Sequence, residues 1–599
     1  MEGGSPIVPA FLGVEHSLGG RRWELRVPDD RHALAIAQIA GVPEPVARVL
    51  AGRGVAPADA AQFLAPKLRD LLPDPSQFRD MDAAATRIAD AIERGEAIAI
   101  FGDYDVDGAT SSALLHDLLS ELGAQVRVYI PDRLKEGYGP NAPALLRLAA
   151  AGVRVVVTVD CGTLAFAPLA AAREAGLDVI VVDHHAAEAR LPAAFAVINP
   201  NRLDEAPGHG QLAAVGVAFL LAVALLRVLR RRGRFADRPE PDLMAALDVV
   251  ALGTICDVVP LRGLNRAFVR QGIAVMKRRG RVGLAALADV ARLSEPPGTY
   301  HLGFVLGPRV NAGGRVGESD LGVRLLTTTD ETEARNLAAR LDALNRERQA
   351  IEQGVLAQAL AQAEQNAAVG PFLLTVGEDW HPGVIGIVAA RLAERFQVPA
   401  AVVGLSADRG KGSGRSAGGF DLGAAIIAAR LEGLLIDGGG HRQAAGFTVA
   451  RENIDALRRF LCARAADLVV PSRPVLSIDA AVSARGATWD LCQLLEQAGP
   501  YGSGHPSPCF VLADMRIVQP DVVGQAHVRC TLADSFGARV RAIAFRAVDN
   551  PLGALLLNRN GPPIHVAGAL RAETWNGTRR VQFEIRDAAP ALSDGGVAA

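Results

Sequence analysis

Three short apolar segments in the first third of the chain each run into polar side chains. They are residues 97–101, 153–159 and 178–182, and each is short and continuous enough to be a buried strand. Apolar positions with helical spacing flank the first segment, at 81–96 and 109–122. Alternating strands and helices predict an α/β domain with a parallel sheet, and such sheets gather functional groups outside the carboxyl ends of their strands.

The polar residues that follow these segments predict a metal site. Several carboxylates placed this close together repel one another unless a cation lies among them. Carboxylates with imidazole and without cysteine select Mn²⁺ or Mg²⁺ over structural zinc. A further carboxylate stands alone in the apolar segment 252–261, where an aspartate is rare unless it is paired or ligating. The candidates exceed what one ion needs, so we expect two ions; the candidates include Asp103, Asp105, Asp107, Asp160, His184, His185 and Asp257.

The spacing of the first three aspartates also begins a calcium-binding loop, which is the main alternative. That loop needs a preceding helix and a glutamate six residues after its glycine. Here a strand pattern precedes the aspartates, and Leu114 stands at the glutamate position. A solvated acidic turn is the other alternative, because a single aspartate after a strand is usually a cap or turn residue. Three strand ends in succession, one with two histidines, favour the metal site.

Glycine-rich stretches farther along the chain predict three loops, of which the last two are candidate phosphate-binding loops. Such loops let backbone N–H groups approach a phosphate, although many are only tight turns. The stretches are residues 307–317, 410–416 and 438–441. The side chains that they present are Arg309, Asn311, Arg315, Lys411, Arg415 and His441.

The remaining pattern divides the chain into five predicted regions. Helical periodicity persists from Asp330, a good N-cap, to about residue 366, which is long enough for a helix between two domains. In chain order the regions are a helical leader at 1–75 that packs on the next domain, an α/β catalytic domain at 76–325, the connecting helix at 326–368, a second α/β domain at 369–472, and a β-rich domain and tail at 473–599.

The last region changes character. Six short β patterns recur between residues 475 and 585, with turn residues between them. This number of short strands suits a small barrel of the oligonucleotide-binding (OB) type. A β-sandwich is the alternative that the pattern leaves open.

Composition narrows the class of protein. The 599 residues are too many for one core, and 63 basic side chains nearly balance 65 acidic ones, so affinity for a polyanion must come from a local basic surface. The six cysteines show no paired short spacing, which fits a reducing cytoplasm. The chain starts without the pattern of a signal peptide, and its longest apolar run, residues 212–226, is too short to span a bilayer and predicts a buried helix.

Four motifs carry a resemblance to a known family. Gly102-Asp-Tyr-Asp-Val-Asp-Gly108, Asp160, Asp183-His-His185 and Asp257 stand in the order and spacing of the DHH phosphoesterases. Arg415-Ser, Gly438-Gly-Gly-His and the following barrel extend the match, so that the chain resembles the RecJ family of DHH enzymes over nearly its whole length. The resemblance implies a parallel-sheet DHH domain, a connecting helix, an α/β DHH-associated domain and an OB-like barrel.

The same resemblance implies an activity. Enzymes of this kind are metal-dependent exonucleases that degrade single-stranded DNA in the 5′→3′ direction to mononucleotides, in DNA recombination and repair. A helicase and a single-strand-binding protein are the partners that the family suggests, and we expect a cytoplasmic monomer without a membrane contact.

Roles for individual residues also follow from the resemblance. His185, Asp107 and Asp160 are implied to be catalytic, with His185 polarising the scissile phosphate. Asp105 and Asp107 are implied to be direct ligands and Asp257 a candidate bridging ligand; the implied metal ligands are Asp103, Asp105, Asp107, Asp160, His184 and Asp257. The implied substrate contacts are a phosphate contact at Arg133, base stacking at Tyr138, a 5′-phosphate pocket at Ser413 and Arg415, and a strand path or supporting shell at Arg309, Asn311, Arg315, His381 and His441.

Two positions depart from the family pattern. Phe101 stands where many DHH enzymes have a histidine, which leaves the number of ions open, and Ala214 stands where related chains often have glycine. Two other functions were weighed. A DHH hydrolase of very short RNA or cyclic dinucleotides is generally compact and lacks the barrel, and a non-catalytic nucleic-acid-binding scaffold of the same fold would be expected to have lost ligands.

Overall fold

The computed structural model describes residues 9–27, 29–133, 135–365, 370–466, 474–575 and 577–591. The chain forms two compact units. One is drawn from residues 1–72, 260–267 and 472–599, and the other from residues 73–259 and 268–471. The predicted boundaries at 368/369 and 472/473 lie outside the described residues, as do the first eight residues and the end of the predicted tail.

The larger unit begins with a parallel five-stranded sheet, and the three strands predicted from the sequence are confirmed within it. Its first strand in the sequence lies between the second and the third, so the strand order reverses beside it. In spatial order the strands are Gln125–Tyr129, Ala97–Gly102, Val153–Val159, Asp178–Val182 and Ala196–Ile198. The helices connected to them are Met81–Arg94, Val106–Glu121, Ala142–Ala150, Phe166–Glu174 and Ala214–Arg231.

The two positions that depart from the family pattern are absorbed by this fold. Phe101 is fully buried and its ring stacks on Tyr129 with centroids 5.1 Å apart, so it fills the core. Ala214 begins the helix that the apolar run at 212–226 predicted, and the helix is buried along most of its length. In both places an apolar side chain contributes packing rather than a ligand atom.

A helical region follows the sheet. The structure corrects one prediction here: residues 307–317 were expected to form a loop, but they form a helix preceded by a π-helical turn. Their glycines serve close packing, since a Cβ at Gly314 would lie 2.6 Å from the Tyr104 carbonyl oxygen. The elements are Leu247–Cys256, Gly263–Met276, Val282–Val290, the π-helical turn His301–Leu306, Gly307–Val316 and Leu321–Thr327.

The predicted connecting helix runs from Glu331 to Gln365, where the description breaks off before residue 370. The Asp330 carboxylate accepts a hydrogen bond from the Glu333 N–H at 2.8 Å and so caps the first turn. Besides its leucines, the helix buries a row of polar side chains, which are Asp342, Asn345, Arg348 and Glu352.

A mixed sheet of five strands forms the second α/β domain. Two of its strands are the stretches 410–416 and 438–441 that were expected to be loops, so this prediction was wrong. Glycine is required there by packing: a Cβ at Gly412 would lie 2.2 Å from the Phe447 ring. In spatial order the strands are Asp437–His441, Ala444–Ala450, Arg409–Arg415, Ala400–Ser406 and Leu373–Glu378, and the helices are Ile385–Phe396, Leu422–Leu431 and Ile454–Ala465.

The smaller unit contains the C-terminal barrel. Its strands pair around a ring, because Phe510–Val523 pairs with His527–Ala533 on one side and with Ile564–Trp575 on the other. This closure confirms the barrel over the β-sandwich. The ring consists of Phe510–Val523, His527–Ala533, Arg539–Ala544, Thr578–Pro590 and Ile564–Trp575, and the flanking elements are Val475–Ile478, Ala480–Ala481, Trp489–Ala498 and Pro551–Leu557.

The N-terminal leader belongs to this smaller unit, whereas the sequence suggested packing on the next domain. Its strand Arg22–Leu25 pairs in parallel with Val475–Ile478. The Trp23 indole is fully buried and donates to the Asp587 carboxylate at 3.2 Å. The helices of the leader are Asp30–Ala40, Glu44–Ala51, Ala60–Leu64 and Leu68–Leu71.

Within the described ranges, no single helix has the length and apolar character needed to cross a membrane; Asp30–Ala40 and Glu44–Ala51, a sharply bent pair, meet that test only when counted together.

Candidate metal centre

The carboxyl ends of the parallel strands bring the predicted metal ligands together. Asp103 and Asp160 follow the two adjacent strands Ala97–Gly102 and Val153–Val159, on either side of the point where the strand order reverses. The ligand atoms of the carboxylates and histidines at these strand ends form three groups, and within each group the atoms lie within 4.8 Å of one another. The groups are Asp103, Asp105 and Asp160; Asp107, His184 and Asp257; and Asp160, His184 and His185. We call these seven residues the acidic cluster.

Two helix N-termini hold the first motif in place. Asp105 caps the helix Val106–Glu121 by accepting from the Gly108 N–H at 3.0 Å. A Cβ at Gly108 would lie 2.4 Å from the Asp103 carbonyl oxygen, which explains the glycine of the motif. Asp107 accepts from the N–H groups of Ala214 and Val215 at 2.7 and 2.9 Å, at the start of a second helix. The positive ends of both helix dipoles therefore stabilise negative charge here.

Several atoms of the acidic cluster are buried without a partner. In the described part of the chain, Asp103 Oδ1, Asp160 Oδ1, His184 Nε2 and Asp257 Oδ2 have no hydrogen-bond partner. His184 Nε2 lies 3.3 Å from Asp160 Oδ1 and 3.6 Å from Asp257 Oδ2. An unpaired buried polar atom costs about 1–3 kcal/mol. Convergent carboxylate oxygens and one imidazole nitrogen suit Mn²⁺ or Mg²⁺, so the residues present fit a divalent cation.

The electrostatics of the cluster point the same way. Burial raises the pKa of Asp107 to about 7 and that of Asp257 to about 9, and neighbouring carboxylates add to both effects. Burial, reinforced by the charge of Asp105, also raises the pKa values of Asp103 and Asp160 well above their usual range. These carboxylates repel one another, and a cation among them would relieve the repulsion.

The pKa values of the two histidines are shifted in opposite directions. Burial lowers the pKa of His184 to about 4, with a further contribution from His185, so its imidazole is neutral and can ligate. His185 is more exposed, and its pKa is raised, because the hydrogen bond and charge of Asp183 outweigh burial. The distance from His185 Nδ1 to Asp183 Oδ1 is 2.7 Å.

Asp183 is a residue of this site that the predicted set left out. Its carboxylate also accepts from the N–H groups of His184 and Thr163, at 2.8 and 3.0 Å. Burial alone would raise the pKa of Asp183, but His185 holds it well below its usual range. The available signal was its position, directly after a buried strand and before two histidines. Asp183 therefore orients His185 rather than binding at the cluster.

A second, basic part of the site lies in the second α/β domain, which contains the mixed five-stranded sheet and belongs to the same unit. Ser413 and Arg415, on the strand Arg409–Arg415, face the N-terminus of the helix Ile385–Phe396. A Cβ at Gly386 would lie 2.9 Å from Ser413 Oγ and 3.4 Å from Arg415 Nη2, so the glycine leaves room for these side chains. We call Ser413, Arg415 and this helix N-terminus the basic pocket.

Two further arginines lie between the acidic cluster and the basic pocket. Arg315 donates to the Gly383 carbonyl at 3.0 Å; burial lowers its pKa to about 10, and the positive charge of Arg133 adds to the effect. The Arg133 guanidinium lies over the Tyr104 ring, 5.0 Å from its centroid. Burial and the same Arg133 charge also lower the pKa of Arg415. The site therefore joins an acidic half to a basic half.

Most of the other predicted substrate residues are also found here. The Tyr138 hydroxyl donates to the Asp160 carbonyl at 2.9 Å, while just over half of this residue stays exposed. The His381 ring lies 3.0 Å from where a Cβ on Gly383 would be, and the pKa of His441 is lowered by burial and by the charges of Arg415 and His185.

Arg309 and Asn311 lie on the helix Gly307–Val316. Asn311 is half-buried one turn before Arg315. Arg309, however, is taken up by Asp342 on the connecting helix, at 2.9 Å, and by the Val305 carbonyl. This pairing joins two helices whose residues are far apart in the sequence, and no local pattern indicates it. Nothing in its described contacts connects Arg309 with a strand path.

Three family models match the chain. They are described as the N-terminal domain of the DHH family, over residues 97–254, the DHHA1 domain, over residues 365–467, and the RecJ OB domain, over residues 478–587. The matched stretches correspond to the parallel-sheet region, the mixed-sheet region and the barrel.

Curated relatives and a solved structure extend over most of the chain. The single-stranded-DNA-specific exonuclease RecJ of Dickeya dadantii is 37% identical, covering 91% of this chain and 96% of its own length. The RecJ of Escherichia coli is 35% identical with the same coverage, and that of Bacillus subtilis is 34% identical, covering 95% and 71%.

The crystal structure of Thermus thermophilus RecJ in complex with Mn²⁺ superposes with a TM-score of 0.79 at 31% identity, covering 97% of this chain and 81% of that one. The Mg²⁺ complex of the same protein gives 0.74 at 29% identity, covering 97% and 80%. The likeness therefore includes the DHH domain, the DHHA1 domain and the barrel together, and the chain belongs to the RecJ family.

Proposed function

We propose that this protein is a divalent-cation-dependent exonuclease that degrades single-stranded DNA from its 5′ end to mononucleotides, in DNA recombination and repair. The observation that carries the proposal is the acidic cluster, whose buried, unpartnered ligand atoms lie beside a basic pocket in the same unit. The names of the relatives, which are single-stranded-DNA-specific exonucleases, support the same activity.

The ligand groups support two cation positions. Asp103, Asp105 and Asp160 form one group, and Asp107, His184 and Asp257 form another that shares no residue with it. The close approach of His184 Nε2 to Asp160 Oδ1, at 3.3 Å, makes the two groups adjacent. When bound, two Mn²⁺ or Mg²⁺ ions at such a site supply Lewis acidity, which lowers the pKa of a water molecule and neutralises charge on the phosphate.

His185 is the residue that we propose acts on the scissile phosphate. Asp183 accepts the hydrogen bond from Nδ1–H and favours the charged imidazole by raising its pKa, so that Nε2–H points away from Asp183 and can donate to a phosphate oxygen. Tyr138 lies next to it, with its hydroxyl 3.3 Å from His185 Nδ1 and its ring edge-on to the imidazole. The exposed part of the Tyr138 ring is available for a base.

The basic pocket is proposed to hold the 5′-terminal phosphate. A helix N-terminus, a hydroxyl and a guanidinium are complementary to a phosphate, and Gly386 keeps the backbone accessible. A terminus that is held there allows the strand to be cut only from that end, which would account for a 5′→3′ direction. Arg133 and Arg315, between the two halves, would neutralise the phosphates near the scissile bond.

The proposal extends to partners and location. We infer that the protein works as a monomer on strands that a helicase opens and a single-strand-binding protein covers. We place it in the cytoplasm, because all six cysteines are free and so fit a reducing compartment.

The test is hydrolysis of DNA labelled at either end, single- or double-stranded, with Mn²⁺, Mg²⁺ or a chelator. We expect cation-dependent release of mononucleotides from the 5′ end of single strands. Asp160→Ala should lower the rate at least about a thousandfold while strand binding is kept, because it removes a ligand and not the basic half. Asp178→Asn, at the opposite end of the next strand, is the matched control. Attack from the 3′ end, or full activity of Asp160→Ala, would refute the proposal.

A further inference from the structure

Two aromatic side chains near the metal centre are stacked on each other in solvent. The rings of Tyr300 and Phe304 have centroids 5.3 Å apart and planes at 24°, and the residues are 65% and 72% exposed. A stacked pair of aromatic rings that stays this exposed gives up most of the burial that usually stabilises such side chains. The pair is therefore a candidate contact surface for a planar ligand.

The position of the pair connects it with the acidic cluster. Tyr300 directly precedes the π-helical turn His301–Leu306 and Phe304 lies within it, and single π-helical turns are frequent at functional sites. This turn packs on the end of the helix Leu247–Cys256: Cys256 Sγ lies 3.5 Å from the Leu302 carbonyl oxygen, and a Cβ on Gly303 would lie 3.3 Å from Ile255. The next residue after that helix is Asp257, a member of the cluster.

The residue after Asp257 is also unusual. Val258 has a φ of 60°, which is a rare and strained conformation for a β-branched residue, and it is 68% exposed. Strain of this kind persists where the surrounding structure over-determines it, and it clusters at ligand sites. The strained turn therefore directly follows a member of the acidic cluster, at the helix end on which the π-helical turn packs.

The ring pair and the basic arginines occupy opposite ends of one helical segment. The π-helical turn continues without a break into the helix Gly307–Val316, which carries Arg315 in its last turn. Phe304 and Arg315 are separated by roughly 15 Å along this segment, given a rise near 1.5 Å per residue. A Cβ at Gly314 would meet Tyr104 and a Cβ at Gly307 would meet Cys256 Sγ, so the segment runs beside the acidic cluster. The ring pair therefore lies beyond the Cys256 end of the cluster, on the side away from Arg315.

We propose that Tyr300 and Phe304 form a stacking platform for unpaired bases on the 3′ side of the scissile bond. The inference rests on the proposed function, and it adds a strand contact beyond the predicted substrate residues. Only an unpaired base can offer its face to the rings, so the platform would contribute to selection of single strands as well as to affinity.

The sharpest test separates stacking from packing. In an Asp160→Ala background, which binds without cutting, Tyr300→Leu with Phe304→Leu should weaken binding of a long oligonucleotide about tenfold. The exchange Tyr300→Phe with Phe304→Tyr keeps both rings and should restore binding to within about twofold. Phe195→Leu, an exposed aromatic residue beside the amino end of Ala196–Ile198, is the matched control. A fluorescent base analogue can be placed at successive positions of the strand. Its quenching by the protein should be lost in the double leucine variant only at positions on the 3′ side of the scissile bond.

A second measurement uses the otherwise unchanged enzyme. A dinucleotide with an abasic 3′ residue offers the rings no base on that side of the scissile bond, so the double leucine variant should cleave it at the normal rate and lose activity only on long strands. Equal binding by the leucine and aromatic variants, or equal loss on the dinucleotide, would overturn the platform. If the unchanged protein degrades single strands and the leucine variant binds and cleaves them equally well, only the platform is refuted. If the unchanged protein degrades no single strands, the proposed function is refuted as well.

Discussion

The acidic cluster and the basic pocket are two halves of one site that are built in opposite ways. In the acidic cluster, four ligand atoms are buried with no hydrogen-bond partner among the described residues, and burial raises the pKa values of its carboxylates. In the basic pocket, the charged group is already fixed by the protein, since Arg415 donates to the Gly414 carbonyl at 2.9 Å.

The difference indicates what each half requires. Repulsion among the carboxylates of the acidic cluster destabilises the folded protein until a cation is bound. The acidic cluster should therefore be the less stable half in the absence of ions. The basic pocket is preorganised, because glycines and backbone contacts hold its donors before any phosphate arrives. Cation binding should therefore change stability, whereas losses in the pocket should change substrate preference.

The largest expected effect is stabilisation by cations. Mn²⁺ or Mg²⁺ at about one hundred times its Kd should add about 2.7 kcal/mol to the free energy of unfolding, read as a rise in Tm over the chelated protein. The raised carboxylate pKa values also make the free energy of unfolding depend on pH. The destabilisation caused by the raised pKa values of Asp107 and Asp257 is absent at low pH, where both carboxyls are neutral in the folded and the unfolded chain. It grows as pH rises from about 4, the ordinary aspartate pKa, and is complete above about 7 for Asp107 and about 9 for Asp257.

Cation stabilisation should therefore be greater near pH 8.5 than near pH 6, since protons compete with the ions. Asp160→Ala should lose most of the Tm rise, and Asp178→Asn should keep it. A rise that is the same at both pH values, or that survives Asp160→Ala, would mean that the ions bind elsewhere.

The second effect concerns the pocket alone. Arg415→Ala removes a charge-assisted contact to the terminal phosphate, so the preference for a 5′-phosphorylated over a 5′-hydroxyl strand should fall about tenfold. The measurement is the ratio of kcat/KM for the two strands. Arg458→Ala is the control, because Arg458 is an exposed arginine of the same domain that pairs with Asp455 on its own helix. An unchanged ratio in Arg415→Ala would remove this residue from the pocket.

The acidic half was largely predictable from the apolar pattern of the sequence, whereas Ser413 and Arg415 of the basic half were indicated only by the resemblance to the family. Buried parallel strands are continuous apolar runs, so their ends were visible, and the residues directly after Ala97–Gly102, Val153–Val159 and Asp178–Val182 were the ones to consider. The fold then only had to bring neighbouring strand ends together, which a parallel sheet does by construction.

Glycine was the misleading signal in the other half. The stretches around Gly314 and Gly412 were expected to be loops, the second of them a phosphate-binding loop. These glycines instead lie in a helix and a strand, where they leave room for the backbone of Tyr104 and for Phe447. These are contacts between residues far apart in the sequence, so no local pattern reveals them. The pairing of Arg309 with Asp342 could not be predicted from the sequence for the same reason.

The smallest effect concerns the helix that forms the pocket, and two salt bridges on it offer a matched pair. Arg391 and Arg395 are one turn apart on Ile385–Phe396, similarly exposed, and both pair with the connecting helix. Arg391 reaches Glu352, which is buried and also bound by Arg348, whereas Arg395 reaches the exposed Glu364.

Arg391→Gln should therefore lower the free energy of unfolding by about 1 kcal/mol, because it leaves a buried carboxylate with one partner fewer, and Arg395→Gln by less than about 0.5 kcal/mol. Denaturant titration of both variants measures the difference. Since the pocket depends on where this helix begins, Arg391→Gln should also weaken the 5′-phosphate preference slightly, and Arg395→Gln should not. Equal destabilisation by the two variants would show that burial of Glu352 contributes nothing to holding the basic half in place.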